Sequence, residues 1–242
     1  MFVDVVDLRD FYQSRLGQVA RRQLRVRIRK VWPDVTGMRV LGLGFATPYL
    51  RPFLGEAERV FALMPASQGV LPWPVGERSL VALADEGELP LQDYSIDRVL
   101  LLHGLEFSER SRALLNEVWR VLAGDGRVLV LVPNRRSLWA VNSGTPFGQG
   151  SPYSHPQLVR LLRDTNFMPE RAEAALFVPP ARSRMILRSA GALERVGARW
   201  FNRFGGVVMI EATKQLYRPA TERAEKRRSV YVPANAPLVP GR

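Results

Sequence analysis

Two glycines directly after a short apolar segment are the residues of this chain whose type and spacing best suit ligand binding. Val40 and Leu41 are typical of a buried strand, and Gly42-Leu43-Gly44 follows at once. Backbone without a Cβ atom turns sharply and lets a bound group approach closely. At the carboxyl end of the first strand of an open α/β sheet, such a turn holds a nucleotide-like ligand. Because the same pattern also occurs in ordinary tight turns, the later segments decide between the two interpretations.

Titratable side chains follow two later apolar segments, where strands of a parallel sheet would end. Asp85 and Glu86 follow the third such segment, and His103 follows the fourth, at the mouth of the predicted site. A histidine at that place can act as a base or orient a substrate. It can equally be a hydrogen-bonded histidine near the surface. His103 is the candidate catalytic residue.

A long connection, residues 134–152, follows the fifth apolar segment. Connections of this length in a compact domain often serve as functional lids. Arg135 can bind a carboxylate or a phosphate through two hydrogen bonds, or lie in a solvated turn. Trp139, Phe147 and Tyr153 can line a substrate pocket or anchor the loop. The candidate substrate residues are Asn134, Arg135, Trp139 and Tyr153.

Strands and helices alternate along most of the chain. The predicted strands are residues 40–43, 59–64, 79–83, 97–102, 127–132, 172–178 and 206–214. The predicted helices are residues 7–31, 48–55, 108–122, 154–167 and 183–204. Continuous apolar strands that alternate with helices imply an α/β fold with a parallel sheet covered on both faces.

Composition limits the chemistry and suggests anionic partners. The 242 residues contain no cysteine, which excludes disulfides, thiolate metal sites and a cysteine nucleophile. The two histidines do not provide a histidine-rich site, and no metal is predicted. The net charge of +12 permits contact with nucleic acid, acidic lipid surfaces or phosphorylated substrates, and does not choose among them.

The two ends of the chain are predicted to differ from the middle. Residues 1–37 are predicted to form an amphipathic basic helix, which can bind an anionic partner, cover the site entrance or lie in solvent. Residues 38–217 are predicted to form one α/β domain, and residues 218–242 a flexible, basic, proline-rich tail. The first residues lack a secretory pattern, and no apolar run approaches the ~20 residues that span a bilayer. We therefore expect a cytoplasmic protein without a transmembrane segment.

Several ordered segments carry a resemblance to a known family. They read VLGLGFATP at 40–48, DEGELPL at 85–91, DYSID at 93–97, VLLLHGLE at 99–106, EVWRVL at 117–122 and GRVLV at 126–130. Together they resemble the class I S-adenosylmethionine-dependent methyltransferases, most closely the methyltransferase domain of many small-molecule enzymes. The resemblance implies a Rossmann-like seven-stranded sheet in the order 3-2-1-4-5-7-6, with strand seven antiparallel. It also implies S-adenosylmethionine as the cofactor.

Within the glycine segment, residues 40–48, the sequence departs from the family pattern. Gly44 matches the family's first glycine, and Gly42 stands at the usual aspartate. Ala46 and Pro48 replace the second and third glycines. The methyl group of Ala46 is tolerated beside the methionine end of the cofactor only if φ stays negative. The resemblance implies that this turn binds the cofactor through Gly42, Leu43, Gly44, Ala46 and Thr47.

The other cofactor residues implied by the resemblance end the next strands of the sheet. Asp85 stands where a family carboxylate accepts from the adenine amino group, and Glu86 where a backbone N–H donates. The family's ribose-binding acid is replaced by Met64, which cannot accept a strong hydrogen bond. Glu58, another group, or water and backbone would have to hold the ribose. Leu102 completes the implied set.

The sequence therefore predicts an enzyme that transfers a methyl group from S-adenosylmethionine to a small-molecule acceptor. The replacements in the first and second motifs favour one alternative, a methyltransferase fold without chemistry that acts as a binding or regulatory partner. The charge favours another, a nucleic-acid methyltransferase. A nicotinamide dehydrogenase fits less well, because the Gly-x-Gly-x-x-Gly pattern fails at its last position and no acid ends the second strand. Nothing in the sequence indicates the acceptor atom or the oligomeric state.

Overall fold

Seven strands form one mixed sheet in the computed structural model, which describes residues 4–181 and 183–216. The strand order is β3-β2-β1-β4-β5-β7-β6, and β7 runs antiparallel to both of its neighbours. The strands are β1 (Arg39–Gly44), β2 (Arg59–Pro65), β3 (Val81–Ala84), β4 (Ile96–Leu102), β5 (Leu122–Pro133), β6 (Phe167–Ala175) and β7 (Val207–Lys214). The predicted fold class and strand order are confirmed.

Helices cover both faces of this sheet. They are α1 (Val5–Gln13), α2 (Arg15–Val31), α3 (Thr47–Leu50), α4 (Ser111–Val121), α5 (His155–Asp164), α6 (Arg184–Arg188) and α7 (Ala190–Trp200). Side chains alternate along each strand, so Val40 enters one apolar core and Leu41 the other. Helices α1, α2, α3 and α7 pack in the first core, and α4 and α5 in the second.

The predicted helix over residues 7–31 is wrong, because two helices meet at Ser14. That residue has extended backbone, and its Oγ accepts a hydrogen bond from the N–H of Gly17 at 3.1 Å. Asp4, rather than Asp7, caps the first helix by accepting from the N–H of Val6. The apolar periodicity continues across the break and hides it. Helix α1 can therefore take a direction of its own.

Other predicted boundaries also shift. The helix predicted over residues 108–122 begins at Ser111, because the Oγ of Ser108 caps a turn at the N–H of Arg110 instead. The helix predicted over residues 183–204 is divided into α6, α7 and a short 3-10 turn, with Ser189 ending α6. Strand β6 begins at Phe167, earlier than predicted, because that residue pairs with β7.

The structure describes the two ends of the chain to different extents. The first two helices pack in the same core as β1. The predicted tail, residues 218–242, lies outside the described residues. No helix in the described part of the chain is long and apolar enough to cross a membrane.

Candidate functional site

The turn after β1 lies against the end of β4. Gly44 has a left-handed backbone with φ of 78°, and the N–H of Phe45 donates to the carbonyl oxygen of Leu102 at 2.9 Å. A Cβ atom on Gly44 would overlap that carbonyl oxygen and lie 2.9 Å from the nitrogen of Gly104. This position therefore requires glycine for both conformation and space.

The next residues begin α3 in a conformation that accepts the altered motif. Ala46 has φ of −88°, so its methyl group causes no backbone strain. Pro48 lies in the first turn of α3, where a missing N–H costs nothing. A Cβ atom on Gly42 would lie 2.6 Å from Cδ1 of Leu50, so the usual aspartate has no room here. Gly42 therefore serves the packing of α3.

The end of β2 offers no charged group. Met64 is buried, and the neighbouring strands leave its thioether among apolar side chains. Glu58 precedes the amino end of β2 and is exposed. Glu58 therefore lies at the opposite end of the strand from Met64, so the suggestion that Glu58 replaces the missing acid is wrong.

The end of β3 carries the predicted acids beside a small cavity. This cavity of about 170 Å³ is lined by residues that include Pro65, Asp85, Glu86, Phe107 and Arg110. The carboxylate of Asp85 accepts from the guanidinium of Arg110 at 2.8 Å and from the N–H of Gly87 at 2.7 Å. Arg110 carries no sequence signal for this site, because only the fold brings the start of α4 beside Asp85.

His103 lies at the end of β4 and is completely buried, rather than near the surface. Its Nε2 lies 2.7 Å from the hydroxyl of Tyr12, and its Nδ1 lies 3.0 Å from Oε1 of Glu106. The hydroxyl of Tyr49 donates to that of Tyr12 at 3.0 Å. The second oxygen of Glu106 has no partner among the described residues.

These contacts fix where the protons lie. Burial and the neighbouring Tyr49 raise the pKa of Tyr12 well above its ordinary value, and burial raises the pKa of Tyr49. Both phenols stay protonated, so the hydroxyl of Tyr12 accepts a hydrogen bond from that of Tyr49 and donates one to Nε2 of His103. Nδ1 then carries the proton of the imidazole and donates to Glu106. The tautomer of His103 follows from this chain of donors.

Helix α1 places Tyr12 across the edge of the sheet. The ring of Tyr12 stacks on Phe45, with centroids 5.9 Å apart and planes 19° apart. The N–H of Val5 donates to the carbonyl of Gln68, whose side-chain amide donates to the carbonyl of His103. The first helix therefore spans the turns after β1 and β4. No sequence signal singled out Tyr12, which belonged to a helix predicted to be continuous.

The predicted substrate residues have varied surroundings. The amide of Asn134 donates to the carbonyls of Arg203 and Gly205, and the indole of Trp139 donates to the carbonyl of Val178 at 2.7 Å. Trp139 is buried, so it anchors the loop. Arg135 is exposed and donates to the carbonyl of Pro152 at 3.3 Å. The hydroxyl of Tyr153 lies 3.4 Å from that of Ser111.

The same loop and α1 enclose a larger cavity of about 830 Å³. Its lining includes Asp7, Phe11, Asn142, Thr145 and Pro146. Two aromatic contacts connect this cavity with the buried histidine. The ring of Phe11 lies 6.0 Å from that of Phe147, which lies 4.9 Å from the imidazole of His103.

Comparison with known proteins places the chain. Residues 42–130 match the family model of the methyltransferase domain. These residues are similar to that domain, and the strand order is that of the class I S-adenosylmethionine-dependent methyltransferase fold. Sequence comparison found no matching curated protein.

Solved methyltransferases share the fold over most of their length. A Thermotoga maritima structure, described as an S-adenosylmethionine-dependent methyltransferase and possible histamine N-methyltransferase, is 17% identical with a TM-score of 0.60, and the match covers 87% of this chain and 96% of that one. An S-adenosylmethionine-dependent methyltransferase of Archaeoglobus fulgidus is 19% identical with a TM-score of 0.56. That match covers 80% of this chain and 94% of the other. The Burkholderia thailandensis 1,6-didemethyltoxoflavin-N1-methyltransferase, solved with S-adenosylhomocysteine, is 17% identical with a TM-score of 0.54. That match covers 86% of this chain and 82% of the other.

The methyltransferase domain implies S-adenosylmethionine as its cofactor, and the residues at the sheet edge can be compared with that group. The cavity at Asp85 and Glu86 offers carboxylate and backbone groups to the adenine end. Gly44 keeps the glycine turn that the methionine end requires. Met64 offers the ribose no acceptor. The side chain of Tyr12 crosses the edge between Phe45 and His103. The carboxyl ends of the strands therefore suit the adenine end and the methionine end of the cofactor. Helix α1 covers the rest of this surface.

Proposed function

We propose that this protein transfers a methyl group from S-adenosylmethionine to a small-molecule acceptor, and that α1 moves away from the sheet edge to admit the cofactor. The observation that carries the proposal is the cavity at Asp85 and Glu86, in a domain of the methyltransferase family. When bound, S-adenosylmethionine supplies an electrophilic methyl group on a sulfonium sulfur. The predicted cofactor residues at the ends of β1 to β4 surround its binding place.

The size of the cavity under the long loop supports a small acceptor. Its volume of about 830 Å³ falls within the ~300–1,000 Å³ of small-molecule sites. Phe11 offers an apolar wall, whereas Asn142 and Thr145 offer polar groups. We therefore assign the acceptor to residues 142–149 and α1, with Arg135 and Tyr153 at the outer side of the loop. A cytoplasmic location belongs to the same proposal.

The proposed role of His103 is to accept a proton from the acceptor. In the closed arrangement, the hydroxyl of Tyr12 occupies its Nε2. Once α1 moves, that nitrogen is free, and Glu106 still holds the imidazole in the tautomer that leaves Nε2 unprotonated. An acceptor that is already nucleophilic needs only alignment with the methyl group.

Loss of the Asp85 carboxylate is expected to weaken the binding of S-adenosylhomocysteine by about tenfold to a hundredfold, because a hydrogen bond to a charged acceptor is lost. Isothermal titration calorimetry of the D85A variant measures this effect. The matched control is D93A: both aspartates are 60% exposed, and both pair with an arginine, at 2.8 Å and 2.7 Å. Asp93 lies away from the cavity, so the control is expected to bind normally. Equal affinities in D85A and the unchanged protein would remove Asp85 from the site.

A second function has an observation of its own. Met64 is buried at the place of the ribose-binding acid, and Tyr12 covers the edge, which favours a methyltransferase fold that binds a partner without transferring methyl groups. No heat of binding up to millimolar S-adenosylhomocysteine, in the unchanged protein and in a variant with α1 loosened, would favour this second function. The nucleic-acid methyltransferase alternative rests on the net charge of +12 and on the basic residues of α2.

A further inference from the structure

Helix α7 has its apolar side chains on the outside. The residues that it buries are Ala190, Glu194 and Gly197. The carboxylate of Glu194 accepts from the N–H groups of Phe177 and Val178, and a Cβ atom on Gly197 would overlap the ring of Phe177. The inner face is thus fitted with small and polar groups, and packing of α7 on the sheet uses none of its large apolar residues other than Leu193.

The outer face and the following turn expose large apolar side chains. Trp200 is 73% exposed and Phe204 62% exposed, and Val196 and Phe201 are more than half exposed. Met185, in the adjoining α6, is 76% exposed. Isolated exposed apolar residues are normal, but five within twenty consecutive residues form a patch that marks an interaction surface.

The charge beside this patch has one sign. Residues 183–206 contain five arginines and a single acid, Glu194, which is buried. The guanidinium of Arg199 lies 5.9 Å from the ring centre of Trp200. Helix α6 also forms one wall of a groove of about 1030 Å³ with α2, and among the described residues no carboxylate lines it. The arginines that line this groove are Arg15, Arg21, Arg22, Arg25, Arg29, Arg184 and Arg188.

We propose that the outer face of α7, with the turn at residues 201–204 and the arginines of α6, binds the surface of an anionic phospholipid bilayer. Tryptophan and phenylalanine side chains are suited to the boundary between headgroups and acyl chains. Arginine binds phosphate through paired hydrogen bonds, and a negatively charged leaflet attracts it. This proposal concerns the outer side of α6 and α7 and does not depend on methyl transfer.

Two other occupants fit the surface less well. Nucleic acid would stack its bases on the aromatic rings, but the aliphatic Val196 and Met185 offer no such platform. A second copy of the chain, bound through the same face, would bring two sets of arginines together. A bilayer uses both the apolar and the positive groups.

The first test is flotation of the full chain with large unilamellar vesicles. Binding is expected to vesicles of phosphatidylcholine with 30 mol% phosphatidylglycerol, and not to phosphatidylcholine alone, and to weaken as salt rises. The double variant W200A/F204A is expected to lose binding by at least about tenfold. The matched control is V75A/L138A, since Val75 and Leu138 are 90% and 64% exposed elsewhere on the protein.

Charge is tested separately by R184E/R188E, which reverses the two exposed arginines of α6 and is expected to weaken binding to anionic vesicles as strongly as the aromatic variant. Its control, R160E/R163E, reverses two exposed arginines of α5 on the other face of the sheet. Residues 217–242 are present in every variant, so their positive charges contribute equally. Equal weakening in both charge variants would show that the attraction depends on net charge alone, and it would overturn the proposal.

Fluorescence tests whether Trp200 enters the bilayer. Anionic vesicles with brominated acyl chains are expected to quench the unchanged protein, and W200F is expected to bind while losing that quenching. The proposal would also be overturned by no binding to anionic vesicles, by unchanged binding in W200A/F204A, or by self-association through this face measured by analytical ultracentrifugation. Preferential binding of a single-stranded RNA that displaces the vesicles would also overturn it.

Discussion

Replacement of Gly44 by alanine is expected to lower the free energy of unfolding by more than about 3 kcal/mol. A left-handed backbone alone costs a residue with a side chain about 1–2 kcal/mol. At this turn the new methyl group would also overlap the carbonyl oxygen of Leu102. The ends of β1 and β4 would have to separate, which breaks the hydrogen bond from Phe45 to Leu102. Urea unfolding followed by circular dichroism measures the loss.

The control for this variant is Gly37→Ala. Gly37 has φ of 70°, close to the 78° of Gly44, but a Cβ atom there would meet nothing within 4 Å. Its replacement is expected to cost only the backbone strain, about 1–2 kcal/mol. The difference between the variants then measures the close approach of the two strand ends. Equal losses of stability would contradict the steric contact derived for Gly44.

The second large effect is expected at the first helix and rests on the proposed function. Leu8 is fully buried on α1, so Leu8→Ala weakens the closed arrangement by about 2–5 kcal/mol. Because α1 covers the cofactor edge, a less populated closed state leaves more protein able to bind. We expect S-adenosylhomocysteine to bind Leu8→Ala at least about tenfold more tightly, as measured by calorimetry.

The matched control is Leu24→Ala, which shortens an equally buried leucine on α2. Both substitutions remove the same atoms from the same core, but only Leu8 belongs to the helix that crosses the edge. Affinity is expected to stay unchanged in the control. Weaker binding in Leu8→Ala, with an unchanged control, would mean that α1 supplies cofactor contacts instead of competing with them.

The sheet could be predicted from sequence because its signals are local. Runs such as Val99 to Leu102 are continuously apolar, and the segments between them have helical periodicity. The family resemblance then supplied the strand order, which the hydrogen-bonded pairing of the strands confirms. The sequence predicts that the methyl group of Ala46 is tolerated only if φ is negative, and the observed φ of −88° meets this condition.

The covering of the site could not be predicted in the same way. Tyr12 and His103 are 91 positions apart, and their contact depends on the direction that α1 takes after the break at Ser14. A hydroxyl that caps a helix looks the same in sequence as one that lies within it. Arg110 reaches Asp85 across 25 positions of the chain. The contribution of these residues depends on long-range packing that periodicity does not contain.

The break at Ser14 separates the first helix from the second, so that α1 can differ in sequence without a change in α2. The hydroxyl of Ser14 caps α2 through Gly17, whereas its own N–H closes the last turn of α1 on the carbonyls of Asp10 and Phe11. Each helix therefore has its end groups satisfied separately, so a different sequence before Ser14 leaves α2 and the sheet intact. Under the proposed function, substitutions confined to residues 4–13 would change which acceptor the cavity beside α1 binds, while the seven-stranded sheet keeps its sequence.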